Sequence, residues 1–273
     1  MSRSVRFTLY IYPVLIIISI IMMTPLIWMV VTAFKSTGQV LNMRAPLLPI
    51  HWHWGNLLRA WREAPFGRFY LNSIVFSVTA TCGQIATSAM AGYAFAKLKF
   101  PGRQILFYVV LAGLMIPFAV IMLPVVQIVG SLHWLNTYQG LIVPNVASAF
   151  GMFLFRQYFL TLPRELDDAA IIDGCSRFQL FYRVNLPMVQ PVVASFGILS
   201  FLTNWNNFLY PLIVTNKTSM MVLPLGLSIF QSQYSTQYNL MMAAALIAIA
   251  PIFVVSIFAQ RRVVDGITLG AIK

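Results

Sequence analysis

The sequence predicts an all-α protein that crosses a membrane several times. Of its 273 residues, 59% are hydrophobic and 9% are charged, whereas a soluble domain carries about 25% charged residues. Six apolar runs have the length that a helix needs to cross a bilayer, which is roughly 20 residues. The runs lie near residues 9–34, 70–96, 105–129, 140–160, 189–213 and 239–259. We therefore expect a polytopic membrane protein with about six transmembrane helices, forming a single domain over residues 1–273.

The first apolar run is expected to remain in the protein as the first span. Arg3 and Arg6 precede it, and it extends from about Leu9 to Phe34, which is longer than the roughly 7–15-residue core of a signal peptide. If both termini are cytoplasmic, twelve basic residues fall on the cytoplasmic side and six on the other side. Because short cytoplasmic loops carry an excess of lysine and arginine, we expect this orientation.

Two other stretches predict local features of the bundle. The second run, NSIVFSVTATCGQIATSAMAGYAFA, is rich in small residues, which allow helices to approach closely. The outer loop at residues 35–69 contains WHWGNLLRAW, whose aromatic residues predict a short helix at the membrane interface.

Several classes of function lack their signatures in this sequence. It contains no GxxxxGK[ST] phosphate loop, and HExxH, CxxC and GxSxG are also missing, so we expect neither an enzyme nor a nucleotide site. His51 and His53 have no cysteine or carboxylate nearby in the sequence, so no metal site is expected. The basic residues are scattered over short loops, which argues against nucleic acid as a partner.

The acidic residues all lie outside the predicted spans. They are Glu63, Glu165, Asp167, Asp168, Asp173 and Asp265. Carriers driven by protons or sodium usually keep an ionisable group inside the membrane, so this pattern argues against that class. Backbone carbonyls can also bind sodium, and an ion-coupled secondary carrier or a channel that needs no ATPase therefore remains an alternative function.

One charged segment, RELDDAAIIDGCSRFQLFYRVNLP at residues 164–187, holds four of the six acidic residues and lies between the fourth and fifth spans. Glu165, Asp167 and Asp168 follow Pro163 at positions where the positive end of a helix dipole favours carboxylates. We therefore expect a short helix that ends near Ile172.

A second short helix is predicted after a glycine corner. Gly174 can adopt the left-handed conformation that closes a helix, and Ser176-Arg177-Phe178-Gln179 matches the S-x-x-Q capping box that starts another. Leu186-Pro187 is expected to end this second helix. Because connections between bundle helices are usually about 2–8 residues long, the segment is either a helix pair on the membrane surface or, as we prefer, an element that docks another protein.

The spacing of residues within the charged segment matches a family pattern. Asp168-Ala169-Ala170 is followed after three residues by Gly174, after nine more by Val184, and then by Leu186-Pro187. This resembles the EAA loop of permease subunits of ATP-binding-cassette importers, with Asp in place of Glu and Val in place of Ile as mild departures. Other stretches over residues 9–273 are similar to the carbohydrate-importer branch, in particular the second permease of maltose-type systems. They are NSIVFSV, GYAFAKLKFPGR, FLTNWNNFLYPLIV, LPLGL and AQRRVVDGITLGAIK.

The resemblance implies a permease domain with its core at about residues 70–260, in a bacterial or archaeal plasma membrane. Its implied partners are a second homologous permease, an ATP-binding-cassette ATPase dimer, an extracytoplasmic solute-binding protein, membrane lipid and a sugar-like small molecule. ATP and magnesium would bind to the ATPase, and no cofactor is implied for this chain.

The family's charged segment is a cytoplasmic coupling helix that sits in a cleft of the ATPase. The residues that the resemblance implies for this contact are Glu165, Asp168, Ala169, Ala170, Asp173, Gly174, Ser176 and Phe178. The C-terminal tail of the family also approaches the ATPase, which implies a further contact at Gly266–Lys273.

A polar cluster interrupts the fifth apolar run. Its members are Asn204, Trp205, Asn206, Asn207 and Tyr210. Amides and an aromatic face suit a sugar, but asparagines also form hydrogen bonds between helices, and both interpretations remain open. Gln84, Gln127 and Asn145 are weaker candidates. The expected function is that of a transmembrane permease subunit of an ATP-driven, binding-protein-dependent importer of a sugar, either a mono- or oligosaccharide or a related polyol.

Overall fold

The structure, a computed structural model, describes residues 3–42, 44–230 and 237–268, with side chains for 11–42, 44–230 and 237–255. All regular elements within these residues are helices, which confirms the predicted all-α class. The longer helices are α1 (Arg3–Ala33), α2 (Gly55–Glu63), α3 (Phe66–Lys97), α4 (Arg103–Ala112), α5 (Phe118–Ser131), α6 (Ala149–Thr161), α7 (Arg164–Ile172), α8 (Gln190–Trp205) and α9 (Tyr238–Thr268). Shorter α-helices lie at Thr37–Leu41, Tyr138–Ile142, Arg177–Gln179, Leu186–Met188, Leu209–Val214 and Leu223–Gly226.

Three helical stretches of the described chain are each long and apolar enough to span a membrane by themselves. They are Ile11–Ala33 within α1, Phe66–Lys97 (α3) and Tyr238–Val255 within α9. Three further candidates are bent pairs: Arg103–Met115 with α5 at 103°, Tyr138–Asn145 with α6 at 41°, and Arg177–Met188 with α8 at 77°. When each bent pair counts as one span, the total is six, as the sequence predicts.

The third apolar run is bent sharply at Pro117 and does not form one straight helix. The helical turn after α4 ends at Met115, and Ile116 is extended, with φ −89° and ψ 112°. Pro117 follows and precedes α5. A proline disfavours the helical conformation for the residue before it, which explains why the chain turns sharply here.

The fifth apolar run is also interrupted, in the middle of its polar cluster. Helix α8 ends at Trp205, and a new short helix begins at Leu209. The side-chain Oδ1 of Asn207 accepts a hydrogen bond of 3.2 Å from the backbone N–H of Tyr210. It thereby satisfies a donor that has no partner within the new helix. Asn207 thus helps to divide the run.

Contacts between Cα atoms group the chain into two compact units, and the first comprises Met1–Gly67 and Gly226–Ala250. Its loop after α1 contains α2 at Gly55–Glu63, which confirms the short helix predicted there. The side-chain amide of Asn56 donates hydrogen bonds to the carbonyls of Ala33 and Lys35 at 2.9 and 2.8 Å. Because carbonyls at a helix C-terminus lack partners within the helix, Asn56 closes the end of α1.

The second unit comprises Arg68–Leu225 and Pro251–Lys273. Buried side chains of α3, α6 and α8, among them Tyr93, Phe155 and Phe196, form one hydrophobic cluster. A Cβ atom at Gly92 of α3 would lie 2.6 Å from Cβ of Phe155 on α6, which is closer than carbon atoms approach. Helices α3 and α6 therefore meet at a residue that has no side chain, as the small residues of the second run predict.

Candidate functional site

The charged segment begins with α7 at Arg164–Ile172, which ends where the sequence predicts. Gly174 has φ +81°. Its N–H donates to the carbonyl of Ile171, and the N–H of Cys175 donates to the carbonyl of Ala170, both at 3.0 Å. These two bonds and the left-handed glycine form a Schellman motif, which satisfies the last carbonyls of a helix. The predicted glycine corner is confirmed. Hereafter we call residues 164–188 the coupling segment.

The second helix of the coupling segment starts with the predicted capping box. The N–H of Gln179 donates to Oγ of Ser176 at 3.3 Å, and Oε1 of Gln179 accepts from the N–H of Ser176 at 2.7 Å. Both orphan donors at the helix start are therefore satisfied within the segment.

The second helix ends at Met188, one residue after the predicted Leu186-Pro187. The chain is π-helical over Leu180–Asn185 and continues as α-helix over Leu186–Met188. The N–H of Leu186 donates to the carbonyl of Phe181, five residues earlier. A proline ring clashes with the carbonyl four residues before it in a regular α-helix. The wider π-helical turns give that ring room, so the helix passes through Pro187.

A buried ion pair attaches the coupling segment to α3. Nζ of Lys97, at the end of α3, lies 2.8 Å from Oδ2 of Asp167 on α7, and the two side chains are only 9% and 14% exposed. Lys97 also donates to the carbonyl of Leu162 at 3.1 Å. Nδ2 of Asn185 donates to Oδ1 of Asp167 at 2.8 Å and to the carbonyl of Leu180 at 3.2 Å. Both oxygens of Asp167 are thus bound, one to α3 and one to the π-helical turn.

Sequence reasoning missed this cluster. Asp167 was expected only to interact with the helix dipole. Lys97 is one of the twelve basic residues assigned to the cytoplasmic side, and Asn185 stands between Val184 and Leu186, where the family pattern accepts any residue. One feature of the sequence could have indicated the pair: Asp167 and Lys97 both adjoin predicted spans on the same side of the membrane. Charges in such positions are rarely left unpaired when they are buried.

The opposite face of the coupling segment is exposed. Seven of the eight residues implied for the ATPase contact are exposed, and Ala170 is buried, at 8% exposure. Ala170 lies three residues after Asp167, on the same side of α7, which explains why it faces inward. Ile172 and Phe178 are large apolar residues at 86% and 68% exposure. We call the exposed set the outer face; it consists of Glu165, Asp168, Ala169, Ile172, Asp173, Gly174, Ser176 and Phe178.

A cavity of about 410 Å³ lies between the coupling segment and the end of α3. Its charged lining is mostly basic and comprises Lys97, Lys99, Arg103, Arg164, Arg177, Asp167 and Asp168. The cavity therefore presents net positive charge beside the outer face.

The predicted ATPase contact at Gly266–Lys273 lies outside the residues whose side chains the structure describes, and residues 269–273 lie outside the described chain altogether. This contact stays a prediction.

The polar cluster of the fifth run is divided between buried and accessible side chains. Asn204, Trp205 and Tyr210 are each 3% exposed, Asn207 is half-buried and Asn206 is exposed. The hydroxyl of Tyr210 donates to the carbonyl of Gly140, and Trp205 packs against the ring of Phe201 with a centroid distance of 5.6 Å.

Asn204 belongs to a network of hydrogen-bonded polar side chains that joins α8 to α3, which we call the polar seam. Its Nδ2 donates to Oγ1 of Thr81 at 3.2 Å and to Oε1 of Gln84 at 3.3 Å. The hydroxyl of Ser200 also donates to Oε1 of Gln84, whose Nε2 donates to the carbonyl of Asn145 at 2.7 Å. Two of the weaker candidates, Gln84 and Asn145, are thus brought together with Asn204. The third, Gln127, is exposed and forms no part of this seam.

Comparisons with known proteins agree with this geometry. Residues 84–268 match the family described as binding-protein-dependent transport system inner membrane component. The chain is 34% identical to the diacetylchitobiose uptake system permease protein NgcG of Streptomyces coelicolor, over 100% of this chain and 91% of that protein. It is 36% identical to the arabinooligosaccharides transport system permease protein AraQ of Halalkalibacterium halodurans, over 94% of this chain and 93% of that protein.

A solved structure shares the fold. It is the crystal structure of a bacterial ABC transporter involved in the import of the acidic polysaccharide alginate, with a TM-score of 0.83 and 20% sequence identity. The match covers 96% of this chain and 98% of that chain. With its six candidate spans and its coupling segment, this chain belongs to the family of inner membrane components of binding-protein-dependent transport systems.

Proposed function

We propose that this chain is one of two permease subunits of an ATP-driven importer that receives a sugar or a related polyol from an extracytoplasmic solute-binding protein. The second permease is homologous, and an ATPase dimer supplies the energy. The relatives named for diacetylchitobiose and arabinooligosaccharides support a saccharide as the transported class. ATP binds to the ATPase, because this chain's sequence has no phosphate loop.

The observation that carries the proposal is the two-sided geometry of the coupling segment. Asp167 and Asn185 hold its inner side, while Ile172 and Phe178 project from its outer face. Exposed apolar side chains on a rigid, polar segment are typical of a contact site between proteins. We therefore assign the outer face to the ATPase.

The inner contacts suggest how a displacement of the ATPase reaches the membrane. ATP binding closes the two ATPase subunits, and a rigid helix seated in each would move with them. In this chain, α7 is bonded to Lys97 of α3 through Asp167 and to the turn that leads into α8 through Asn185. A movement of α7 is therefore transmitted to α3 and α8 as well as to α6, which immediately precedes it.

We also propose that both termini are cytoplasmic. Four candidate spans precede α7: α1, α3, the α4–α5 pair and the pair that ends with α6. An even number of crossings places the coupling segment on the same side as the N-terminus, which is where an ATPase dimer must lie to use cytoplasmic ATP. The distribution of basic residues supports the same orientation.

For the solute pathway, we propose Asn206 and Asn207 ahead of Asn204, Trp205 and Tyr210. The latter three are buried, and Asn204 and Tyr210 are hydrogen-bonded within the chain. Nδ2 of Asn206 donates to the carbonyl of Leu202 at 2.9 Å, but the side chain is exposed, so a hydroxyl of a sugar can still reach its amide.

The test is to reconstitute the assembled transporter and to measure ATP hydrolysis that is stimulated by the binding protein, together with uptake. Phe178→Asp places a carboxylate on the outer face and should abolish stimulation while the chain remains inserted. Leu48→Asp is the matched control, because Leu48 is a comparably exposed apolar residue, at 60% exposure, in the loop after α1.

Full stimulation and uptake in Phe178→Asp would contradict the assignment of the outer face. Uptake by this chain alone in liposomes without ATP would instead support an ion-coupled carrier or a channel, and would overturn the proposed function as a whole.

A further inference from the structure

A lysine in the first unit is buried without a counter-ion. Lys35 is 5% exposed, and its Nζ donates one hydrogen bond, to the carbonyl of Pro46 at 3.0 Å. The same atom lies 5.6 Å from the ring centroid of Trp28. An ammonium has three donors, and no carboxylate of the described side chains lies within 4.0 Å of it. Glu63, the acidic residue of this unit, pairs with Arg59 at 3.6 Å.

The backbone holds Lys35 in this position. Its carbonyl accepts hydrogen bonds from the side chains of Asn56 at 2.8 Å and Asn239 at 3.3 Å. The next residue, Ser36, caps the helix Thr37–Leu41 by accepting from the N–H of Gln39. Burying an ammonium without an opposite charge is costly, so an anion at this place would remove an energetic penalty that the fold otherwise carries.

Lys35 lines a cavity of about 580 Å³. The cavity wall offers hydroxyl and amide groups and contains no acidic residue among the described side chains; its polar and aromatic members are Trp28, Thr32, Lys35, Gln39, Asn42 and Tyr238. A phosphate group is bound by a cation together with hydrogen-bond donors. Lys35 supplies the cation, and Thr32 and Asn42, which line the same cavity, carry donor groups, whereas the amide of Gln39 donates to the carbonyl of Leu48 at 3.1 Å.

The position of the cavity indicates where the phosphate comes from. Lys35 follows the candidate span Ile11–Ala33 by two residues, so it lies at the end of a membrane helix. Trp28 and Tyr238, which line the cavity, are 53% and 44% exposed, and such aromatic residues are enriched at the level of lipid headgroups. The helix below exposes large apolar side chains, including Ile20 and Ile27, along which acyl chains can lie.

We propose that this cavity binds the phosphate headgroup of an anionic phospholipid, with Lys35 as the cation that recognises it. On the proposed topology the lipid belongs to the outer leaflet. The site is independent of the coupling segment, and it does not depend on which solute the transporter carries.

The test uses the assembled transporter, purified with its partner subunits into nanodiscs of phosphatidylcholine with increasing phosphatidylglycerol. Thermal unfolding and native mass spectrometry report the bound lipid. Lys35→Met should weaken the apparent affinity for phosphatidylglycerol by about tenfold or more, since a charge-assisted hydrogen bond is lost. Lys35→Arg should retain it. The matched control is Lys217→Met, because Lys217 is an exposed lysine in another outer loop.

A second variant keeps the proposal testable if Lys35→Met fails to assemble. Ala45 also lines the cavity, and Ala45→Phe fills it while Lys35 stays in place, so this variant should lose the bound lipid too. Unchanged phosphatidylglycerol binding in Lys35→Met, or in Ala45→Phe, would overturn the proposal. Equal stabilisation by millimolar inorganic phosphate without anionic lipid would overturn the lipid assignment and identify a site for a free anion.

Discussion

The side chains of Lys97 and Lys35 are both largely shielded from solvent, but the groups that surround the two ammonium groups differ. Lys97 contacts the carboxylate of Asp167 at 2.8 Å, and that carboxylate is itself bound by Asn185. Lys35 contacts a backbone carbonyl and an aromatic ring. The first arrangement is complete within the chain, so its role is to hold helices together. The second lacks an opposite charge among the described residues, and we infer that it is completed by a ligand.

The largest effect is expected when the carboxylate of Asp167 is removed from its ion pair with Lys97. Asp167→Ala leaves the ammonium of Lys97 buried and unpaired, which should cost about 3–5 kcal/mol in the free energy of unfolding. Thermal unfolding of the assembled transporter measures this loss. The double variant Lys97→Met with Asp167→Leu removes both charges and should recover most of it, and a double variant as unstable as Asp167→Ala would argue against the pair as the cause.

A smaller loss is expected when the second partner of Asp167 is removed. Asn185→Leu eliminates one buried and one partly buried hydrogen bond and should cost about 1–3 kcal/mol, measured in the same way. Asn216→Leu is the control, because Asn216 is an exposed asparagine. If the two variants are equally stable, the bond between Asn185 and Asp167 contributes nothing to the anchor.

Substitutions at Gly174 test whether the ion pair between Lys97 and Asp167 is sufficient to position the outer face. A Cβ at Gly174 meets no atom within 4 Å, but the φ of +81° is unfavourable for a side chain. Gly174→Ala should therefore cost roughly 1–2 kcal/mol, and Gly174→Asn less, because asparagine tolerates this conformation. Gly174→Glu should leave the chain inserted but uncoupled, as binding-protein-stimulated ATP hydrolysis would show. Normal hydrolysis and uptake in Gly174→Glu would mean that the corner is dispensable.

The smallest effect is expected at Lys35 in the absence of anionic lipid. Lys35→Met removes the cost of an unpaired buried charge but also the hydrogen bond to the carbonyl of Pro46. Because these two contributions oppose each other, the free energy of unfolding in phosphatidylcholine should change by less than about 1 kcal/mol. Lys97→Met, which leaves Asp167 unpaired, should be several times more destabilising. Thermal unfolding of both variants compares the environments of the two lysines directly. A similar loss of stability in both variants would mean that the two environments do not differ in energy.

The parts of the coupling segment that were predicted correctly depend on residues close together in the chain. The capping box joins Ser176 to Gln179, and the closing bonds at Gly174 span six residues or fewer. Such bonds form whenever the local chain adopts one helical turn, so a motif of a few letters is sufficient to predict them. The π-helical turn that accommodates Pro187 was not predicted, because it leaves no comparable local pattern in the sequence.

The composition and spacing of the chain were enough to determine an all-α membrane protein, about six candidate spans, and a helix, corner and helix with the pattern of a coupling loop. They could not determine which charges and amides lie opposite each other. Asp167 meets a lysine 70 residues earlier in the chain, and Asn204 meets side chains of α3 more than 100 residues away. Whether a polar group is exposed for a partner, satisfied between helices or buried beside a cavity depends on which helix faces pack together. That choice is made by the tertiary structure, because burial is a property of the whole bundle and not of any one of its turns.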